Sequence, residues 1–168
     1  MSRWIQDQSW KRGQGVEAMF ATLLNERAIE AREADLREQF SHVDYVTDFG
    51  KIDVKARKRV ARKDDDVQDE LVWLEFKNVQ GKFGWLYGKA DWIAFEREDD
   101  FVLVKRSDLA LMGEKLCAVG DRVSTGKDAL YKGYQRRGRK DLLSIVKMSD
   151  VLKLSHQLWT KDVDNTEH

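Results

Sequence analysis

The sequence predicts an α/β fold in which a central mixed β-sheet is flanked by helices. Three observations lead to this fold class: an amphipathic helical pattern near the start of the chain, a β-hairpin pattern over 42–59, and several strand-like segments before a last helical one. A chain of 168 residues is long enough to bury a substantial core and is most simply one domain. We therefore expect a single domain, with flexible ends at 1–12 and 161–168.

Composition limits the classes of function. The chain carries 30 basic and 30 acidic residues, so a nucleic-acid binder of this composition must segregate its charge locally. Cys117 is the single cysteine, which excludes an internal disulfide, and the sequence has no His/Cys cluster typical of zinc sites. We expect a reduced, cytoplasmic setting. The chain has no leader-like start and no apolar run near the roughly 20 residues that span a bilayer, so we expect a soluble protein without membrane contact.

The first helix is predicted from about Gly13 onward. Its apolar positions recur at helical spacing, namely Val16, Met19, Phe20, Leu23 and Leu24. Residues 28–40 are ambiguous, because Ala, Glu, Arg and Leu favour a helix while the alternation in I-E-A-R-E-A is typical of a strand.

The hairpin over 42–59 organises the rest of the prediction. Its turn lies at 48–51, and a two-residue loop of Phe49 and Gly50 would place Asp44 opposite Lys55. One face then carries Asp44, Asp53, Lys55 and Arg57, and the other face is apolar. Opposite residues lie about 5 Å apart, so the two carboxylates can share one cation with the lysine beside them.

The remaining elements are predicted from shorter patterns. Strands are expected at 71–78, 92–97, 101–105, 130–135 and 142–148, with a loop at 119–127. Ser107 and Asp108 would cap a short helix. Ser149 and Asp150 would cap a last helix that extends through Leu158 and Trp159.

The acids and the lysine of the hairpin resemble the signature of the PD-(D/E)xK nuclease superfamily. Asp44 matches the first acid and Asp53-Val54-Lys55 matches the (D/E)xK element, while Val43 replaces the proline that often precedes the first acid. The short spacing is similar to that of phage-type Holliday-junction endonucleases. The resemblance implies a restriction-endonuclease-like fold, a strand over 29–34, and an Mg²⁺- or Mn²⁺-dependent hydrolase of DNA phosphodiesters.

Two further acids enter through the resemblance. Members of this superfamily often add a Glu from the first helix to the metal cluster, which makes Glu17 a candidate, although a Glu at a helix flank is more often solvated. The strand at 71–78 repeats the acid-x-lysine spacing with Glu75 and Lys77. The motif could then be read in two ways. In the first registration it consists of Asp44, Asp53 and Lys55, and Glu75 could be an outer metal ligand. In the second registration Asp53 is the leading acid, and Glu75 and Lys77 supply the acid-x-lysine element. The hairpin geometry favours Asp44, Asp53 and Lys55.

Two basic segments are candidate phosphate contacts. The first comprises Arg57, Lys58, Arg59 and Arg62, and the second comprises Arg136, Arg137, Arg139 and Lys140. The alternatives are a solvated loop balanced by the acidic run that follows, and a hairpin tip that is basic for solubility. We expect DNA as the partner and a homodimer if both strands are cut. The competing function is a catalytically silent module of the same fold that binds nucleic acid or a host protein.

Overall fold

The computed structural model describes the backbone of residues 8–60 and 66–161 and the side chains of 15–60 and 66–161. The outer parts of the ends expected to be flexible, at 1–7 and 162–168, lie outside the described residues, and so does Arg62. The first helix begins at Gln8, within the segment expected to be a flexible arm.

The described residues contain four helices and ten strands. The helices are α1 (Gln8–Glu26), α2 (Leu36–Phe40), α3 (Arg106–Leu116) and α4 (Met148–Val151). The strands are β1 (Ala31–Glu33), β2 (Tyr45–Thr47), β3 (Gly50–Lys55), β4 (Leu71–Lys77), β5 (Trp92–Glu96), β6 (Asp100–Lys105), β7 (Ala118–Val123), β8 (Lys132–Tyr134), β9 (Leu142–Lys147) and β10 (His156–Thr160). Two 3₁₀ turns, Trp85–Tyr87 and Gly126–Asp128, complete the described elements.

The strands form two mixed sheets flanked by few helices, which confirms the α/β class and corrects the expectation of one central sheet. The large sheet has the order β1-β2-β3-β5-β6-β10, and the small sheet has the order β4-β9-β8-β7. Strands β3 and β5 are parallel, as are β7 and β8, and the other neighbours are antiparallel. The difference arises at β4, which pairs with β9 from the far end of the chain and not with β3.

The large sheet is buried on both faces. Residues Ile52, Val54, Ala94 and Leu103 pack with α1 on one face, where Val16, Phe20, Leu23 and Leu24 are buried and Met19 is exposed. On the other face, Ile93, Phe95 and Val104 join a second cluster with β4, β9 and α3. Because alternate residues of a strand point to opposite faces, β5 and β6 supply both clusters.

The hairpin forms with a register that differs by two residues from the predicted one. Tyr45 pairs with Ile52 and Thr47 with Gly50, so the two-residue loop is Asp48 and Phe49. The Thr47 hydroxyl donates to the Gly50 carbonyl at 2.7 Å and accepts from the Phe49 amide at 3.2 Å, which stabilises this turn. A shift of two residues keeps every side chain on its face. It brings Asp44 next to Asp53 instead of Lys55.

The ambiguous segment 28–40 contains both elements, a strand at Ala31–Glu33 and a helix at Leu36–Phe40. The helix begins there because Asp35 and Glu38 form a capping box, in which the Glu38 amide donates to Asp35 at 2.8 Å. The strand within 29–34 confirms that part of the prediction, and its three residues are exposed.

Three predictions for the later elements were wrong. The segment expected to be a loop at 119–127 contains most of β7, and α3 begins at Arg106, before the residues expected to cap it. The last helix ends at Val151, and the residues up to Thr160 form β10 at the edge of the large sheet. The packing of Trp159 favours this strand. Trp159 is buried and stacks on Phe20, with ring centroids 5.3 Å apart, while the neighbouring Leu158 is exposed.

No helix in the described residues is both long enough and apolar enough to cross a membrane.

Phe20 links three elements of the core, and its removal should destabilise the fold strongly. It is fully buried, stacks on Trp159 and meets Phe101 edge to face at 5.2 Å. We expect Phe20→Ala to lower the free energy of unfolding by about 3–5 kcal/mol. The neighbouring Met19→Ala, at a position with 38% exposure, should cost under about 1 kcal/mol. Urea denaturation of both variants measures this, and equal losses would contradict the packing.

Candidate active site

Strand β3 and the residue before β2 bring the predicted acids and lysine together. Asp53 is buried in the large sheet, on the face opposite α1, and its register partner on β5 is Ile93. Asp44 lies beside it, since the Asp44 amide donates to the Ile52 carbonyl at 2.8 Å and the Val54 amide donates to Asp44 Oδ2 at 2.7 Å. The Lys55 Nζ is 3.3 Å from Asp53 Oδ1. The three side chains therefore share one side of the hairpin.

The two carboxyl groups are close enough to share a proton. Burial, with a smaller contribution from the negative charge of Asp44, raises the pKa of Asp53 to about 8 against the lowering effect of Lys55. Burial also raises the pKa of Asp44, against the hydrogen bond from the Val54 amide. The hydrogen bond between them stabilises ionised Asp44 and protonated Asp53. Without a cation, Asp53 thus holds the proton of the pair.

The ammonium group of Lys55 is fixed by an aromatic ring as well as by Asp53. Its Nζ lies 4.6 Å from the centroid of Trp85, which in turn meets Phe95 edge to face at 6.1 Å. Trp85 is held by its own backbone, because its amide donates to Glu75 Oε1 at 3.1 Å. Gly84 permits this approach, since a Cβ there would come within 2.5 Å of the Glu75 carbonyl oxygen.

Glu17 reaches the same group of charges from α1. Burial, with a smaller contribution from the negative charge of Asp44, raises the pKa of Glu17 to about 7 against the lowering effect of Lys55. The Tyr45 hydroxyl donates to the Glu17 carbonyl at 3.0 Å and fixes this turn of the helix to β2. Glu17 is therefore within electrostatic range of Asp44 and Lys55.

The second registration is split between the two sheets. Glu75 lies on β4 of the small sheet and lines the same cavity as Lys55, so it faces the site from across the gap between the sheets. Its lysine, Lys77, is exposed beyond an irregularity in the β4–β9 pairing and is not part of that cavity. The strands that carry Asp53 and Glu75 belong to different sheets and are not neighbours. The structure brings together Asp44, Asp53 and Lys55, the residues of the first registration.

His42 is a site residue that sequence reasoning left without a role. Burial lowers its pKa, Lys55 lowers it further, and Glu75 and Asp44 raise it, which places the imidazole among these three charges. Its backbone is in the left-handed region, with φ of 66°, an unusual conformation for a residue with a side chain. The sequence feature that could have indicated a role for His42 is its position two residues before Asp44.

The predicted phosphate contacts fall into two groups. Arg57 and Lys58 line the cavity next to Lys55, and the Arg57 Nε donates to Asp69 at 2.6 Å, so the acidic run balances part of the basic one. Arg59 is exposed, and its carbonyl accepts from the Trp73 indole at 3.2 Å. Arg136 also lines the cavity and pairs with Asp141 at 2.9 Å. Arg137, Arg139 and Lys140 are exposed in the turn between β8 and β9.

The donor set fits a hard divalent cation. Asp53 Oδ2 is buried and has no hydrogen-bond partner among the described residues, and Asp44 supplies further carboxylate oxygens beside it, so a cation between the two acids would satisfy this oxygen. No group of three or more His, Cys, Asp or Glu side chains within 15–60 and 66–161 is arranged to hold a metal alone. Mg²⁺ is commonly bound by one or two carboxylates together with substrate phosphates and water, and Asp44 and Asp53 meet that requirement.

Comparisons of the chain with models of protein families, with curated proteins and with solved structures found no match. The resemblance to PD-(D/E)xK nucleases therefore rests on the residues and distances given above.

The raised pKa of Asp53 makes the stability of the metal-free protein depend on pH. The unfolded chain loses this proton near pH 3.8 and the folded chain near pH 8, so the folded state binds more protons between these values and stability falls as pH rises through that window. In chelator at pH 8, Asp53→Asn should raise the free energy of unfolding by roughly 1–3 kcal/mol and flatten this slope.

Chemical denaturation at several pH values measures that change, and Asp121→Asn on β7, which is exposed, is the matched control and should alter neither quantity. If the free energy of unfolding of Asp53→Asn depends on pH as steeply as that of the wild type, the Asp53 carboxyl group of the folded wild type is ionised and the prediction is wrong.

Proposed function

We propose that this protein is a metal-dependent endonuclease that hydrolyses phosphodiester bonds of DNA. The observation that carries the proposal is the convergence of Asp44, Asp53 and Lys55 at one buried point of the large sheet, where Asp53 Oδ2 has no donor. A buried carboxyl oxygen without a hydrogen-bond partner is costly, and strongly perturbed buried acids cluster at functional sites. We also propose that the α/β fold is of the restriction-endonuclease-like type.

Each residue has a role that follows from its position. Asp44 and Asp53 would hold Mg²⁺ or Mn²⁺ through their oxygen atoms, and Glu17 or Glu75 would add negative charge at longer range. When bound, such an ion would supply acidification of a water molecule and neutralisation of charge on the phosphoryl oxygens. Lys55, held between Asp53 and Trp85, orients that water and offsets the negative charge of the transition state. DNA is the partner, in the cytoplasm, and a homodimer would supply the second site for cutting both strands.

The cleavage test uses labelled duplex, branched and single-stranded DNA with Mg²⁺. We expect Asp53→Asn to lower the cleavage rate at least about 100-fold, and Lys55→Met to lower it by about 10²–10³-fold, because each removes a preorganised charge at the reacting phosphate. Binding of DNA should persist in both variants.

Asp121→Asn and Lys105→Met, both at exposed positions on other strands, are the matched controls and should cleave at the wild-type rate. Binding of DNA without any cleavage that depends on Mg²⁺ and on Asp53 would instead identify a catalytically silent binding module.

The turn between β8 and β9 should determine part of the salt dependence of DNA binding. Arg137, Arg139 and Lys140 are exposed there and can meet phosphate oxygens. Each phosphate contact contributes about 0.9 to the slope of log K against log salt for duplex DNA, so replacing all three with Ala should reduce the slope by roughly 2–3. Fluorescence anisotropy at several salt concentrations measures it. Lys115→Ala on α3, also exposed, should leave the slope unchanged.

A further inference from the structure

A cavity of about 480 Å³ lies between the two sheets and includes Lys55 in its wall. This volume is in the range of small-molecule sites and suits a single nucleotide, whereas a stacked base pair of duplex DNA would not fit. The cavity extends from Lys55 and Trp85 on one side to Trp73, Tyr134 and Arg136 on the other. A group bound in it would therefore lie next to the proposed reacting phosphate.

The far wall of the cavity presents an aromatic surface. Trp73 and Tyr134 are half-buried, with ring centroids 5.3 Å apart and planes inclined at 48°. The alternation along β4 leaves Trp73 and Glu75 partly exposed in the cavity wall, while Leu74 between them is fully buried in the core. The indole of Trp73 is fixed by its hydrogen bond to the Arg59 carbonyl. Fixed, partly exposed aromatic rings are the usual platforms for unpaired bases.

The charges of the cavity favour a base over a phosphate group. The basic residues in its wall are Lys55, Arg57, Lys58 and Arg136. The acidic residues in its wall are equal in number, namely Asp69, Glu75, Glu96 and Asp141. Because the formal charges cancel, the cavity as a whole does not attract an anion, while an uncharged base with a polar edge meets both donors and acceptors.

Arg136 provides a fixed polar group at the aromatic wall. Its Nη2 donates to Asp141 Oδ2 at 2.9 Å, and Asp141 is only 3% exposed, so the buried carboxylate determines where the guanidinium lies. The side chain of Arg136 itself remains 38% exposed. A planar guanidinium beside Tyr134 can stack on a base or donate to its edge.

We propose that this cavity receives one unstacked nucleobase of the DNA strand, with Tyr134 and Trp73 as its stacking surface, so that the protein selects DNA with unpaired nucleotides at the cleavage site. The inference rests on the proposed nuclease function and specifies its substrate class. A base in a continuous duplex must first leave the stack at a cost of a few kcal/mol, while a base in a single strand, gap or branch is already unstacked.

The test measures binding without metal, so that cleavage does not enter. A single-stranded oligonucleotide with one 2-aminopurine, a gapped duplex and a continuous duplex are titrated in chelator with wild type, Tyr134→Leu and Tyr134→Phe. We expect the wild type to bind the single-stranded and gapped DNA more tightly than the duplex and to quench the 2-aminopurine. Tyr134→Leu should weaken binding of unpaired DNA about 5- to 100-fold, the range for one base–aromatic stack, and abolish the quenching.

Tyr134→Phe is the matched control, since it keeps the ring, and the Tyr134 hydroxyl makes no hydrogen bond to any described residue. It should bind as the wild type does. A second control is an oligonucleotide that lacks the base expected to enter the cavity. The wild type should bind this abasic oligonucleotide as weakly as Tyr134→Leu binds the intact one, because the loss of the base and the loss of the ring remove the same stacking contact. Thermal unfolding of the three proteins shows whether Tyr134→Leu is folded.

Other outcomes separate the inference from the function on which it rests. Equal affinity of wild type and Tyr134→Leu for single-stranded DNA would overturn the base-binding cavity even if Mg²⁺-dependent cleavage is observed. Displacement of the oligonucleotide by micromolar dAMP would also overturn it, by indicating a site for a free nucleotide. Binding that depends on the Tyr134 ring, in a protein that cleaves none of these DNAs, would support the cavity and reject the nuclease.

Discussion

The burial of Asp53 beside Asp44 is the constraint on which the candidate site depends. An acid in the middle of a strand that is covered on both faces is expensive to ionise, and here the compensation comes from Lys55, from a shared proton and from the Val54 amide on Asp44. The rest of the core around β3 is apolar and closely packed, so this pair is a polar exception within it. Under the proposed function, this loss of stability places a charge where the chemistry would need it.

The two-sheet architecture turns this pair into a site with an adjoining cavity. Had β4 paired with β3, Glu75 would lie in the same sheet as the acids and no gap would separate them. Because β4 pairs with β9, Glu75 faces Lys55 across a gap, and Trp85 closes one end of it under the ammonium group. The small sheet then contributes Trp73, Tyr134 and Arg136, which are distant from β3 in sequence.

The elements that sequence patterns predicted well are those with a regular spacing of apolar residues. The helix with Phe20 at its centre and the strands β4, β5, β6 and β9 follow from periodicity, because their apolar residues face a core at regular spacing. The prediction failed for the last segment, where Trp159 on β10 stacks on Phe20 of α1, a contact between residues far apart in the sequence. Capping residues such as Ser149 indicated a helix, which forms for only four residues.

The sequence by itself determined which residues share a face of the hairpin, because side chains alternate along a strand and a register error of two residues leaves the face unchanged. It therefore identified Asp44, Asp53 and Lys55 before any coordinates. Only the tertiary structure decided that Asp44 meets Asp53, that Glu17 and His42 lie within electrostatic range of Asp44 and Lys55, and that Glu75 lies across a cavity with an aromatic wall. These contacts join segments far apart in the chain, and no local periodicity encodes how such segments pack.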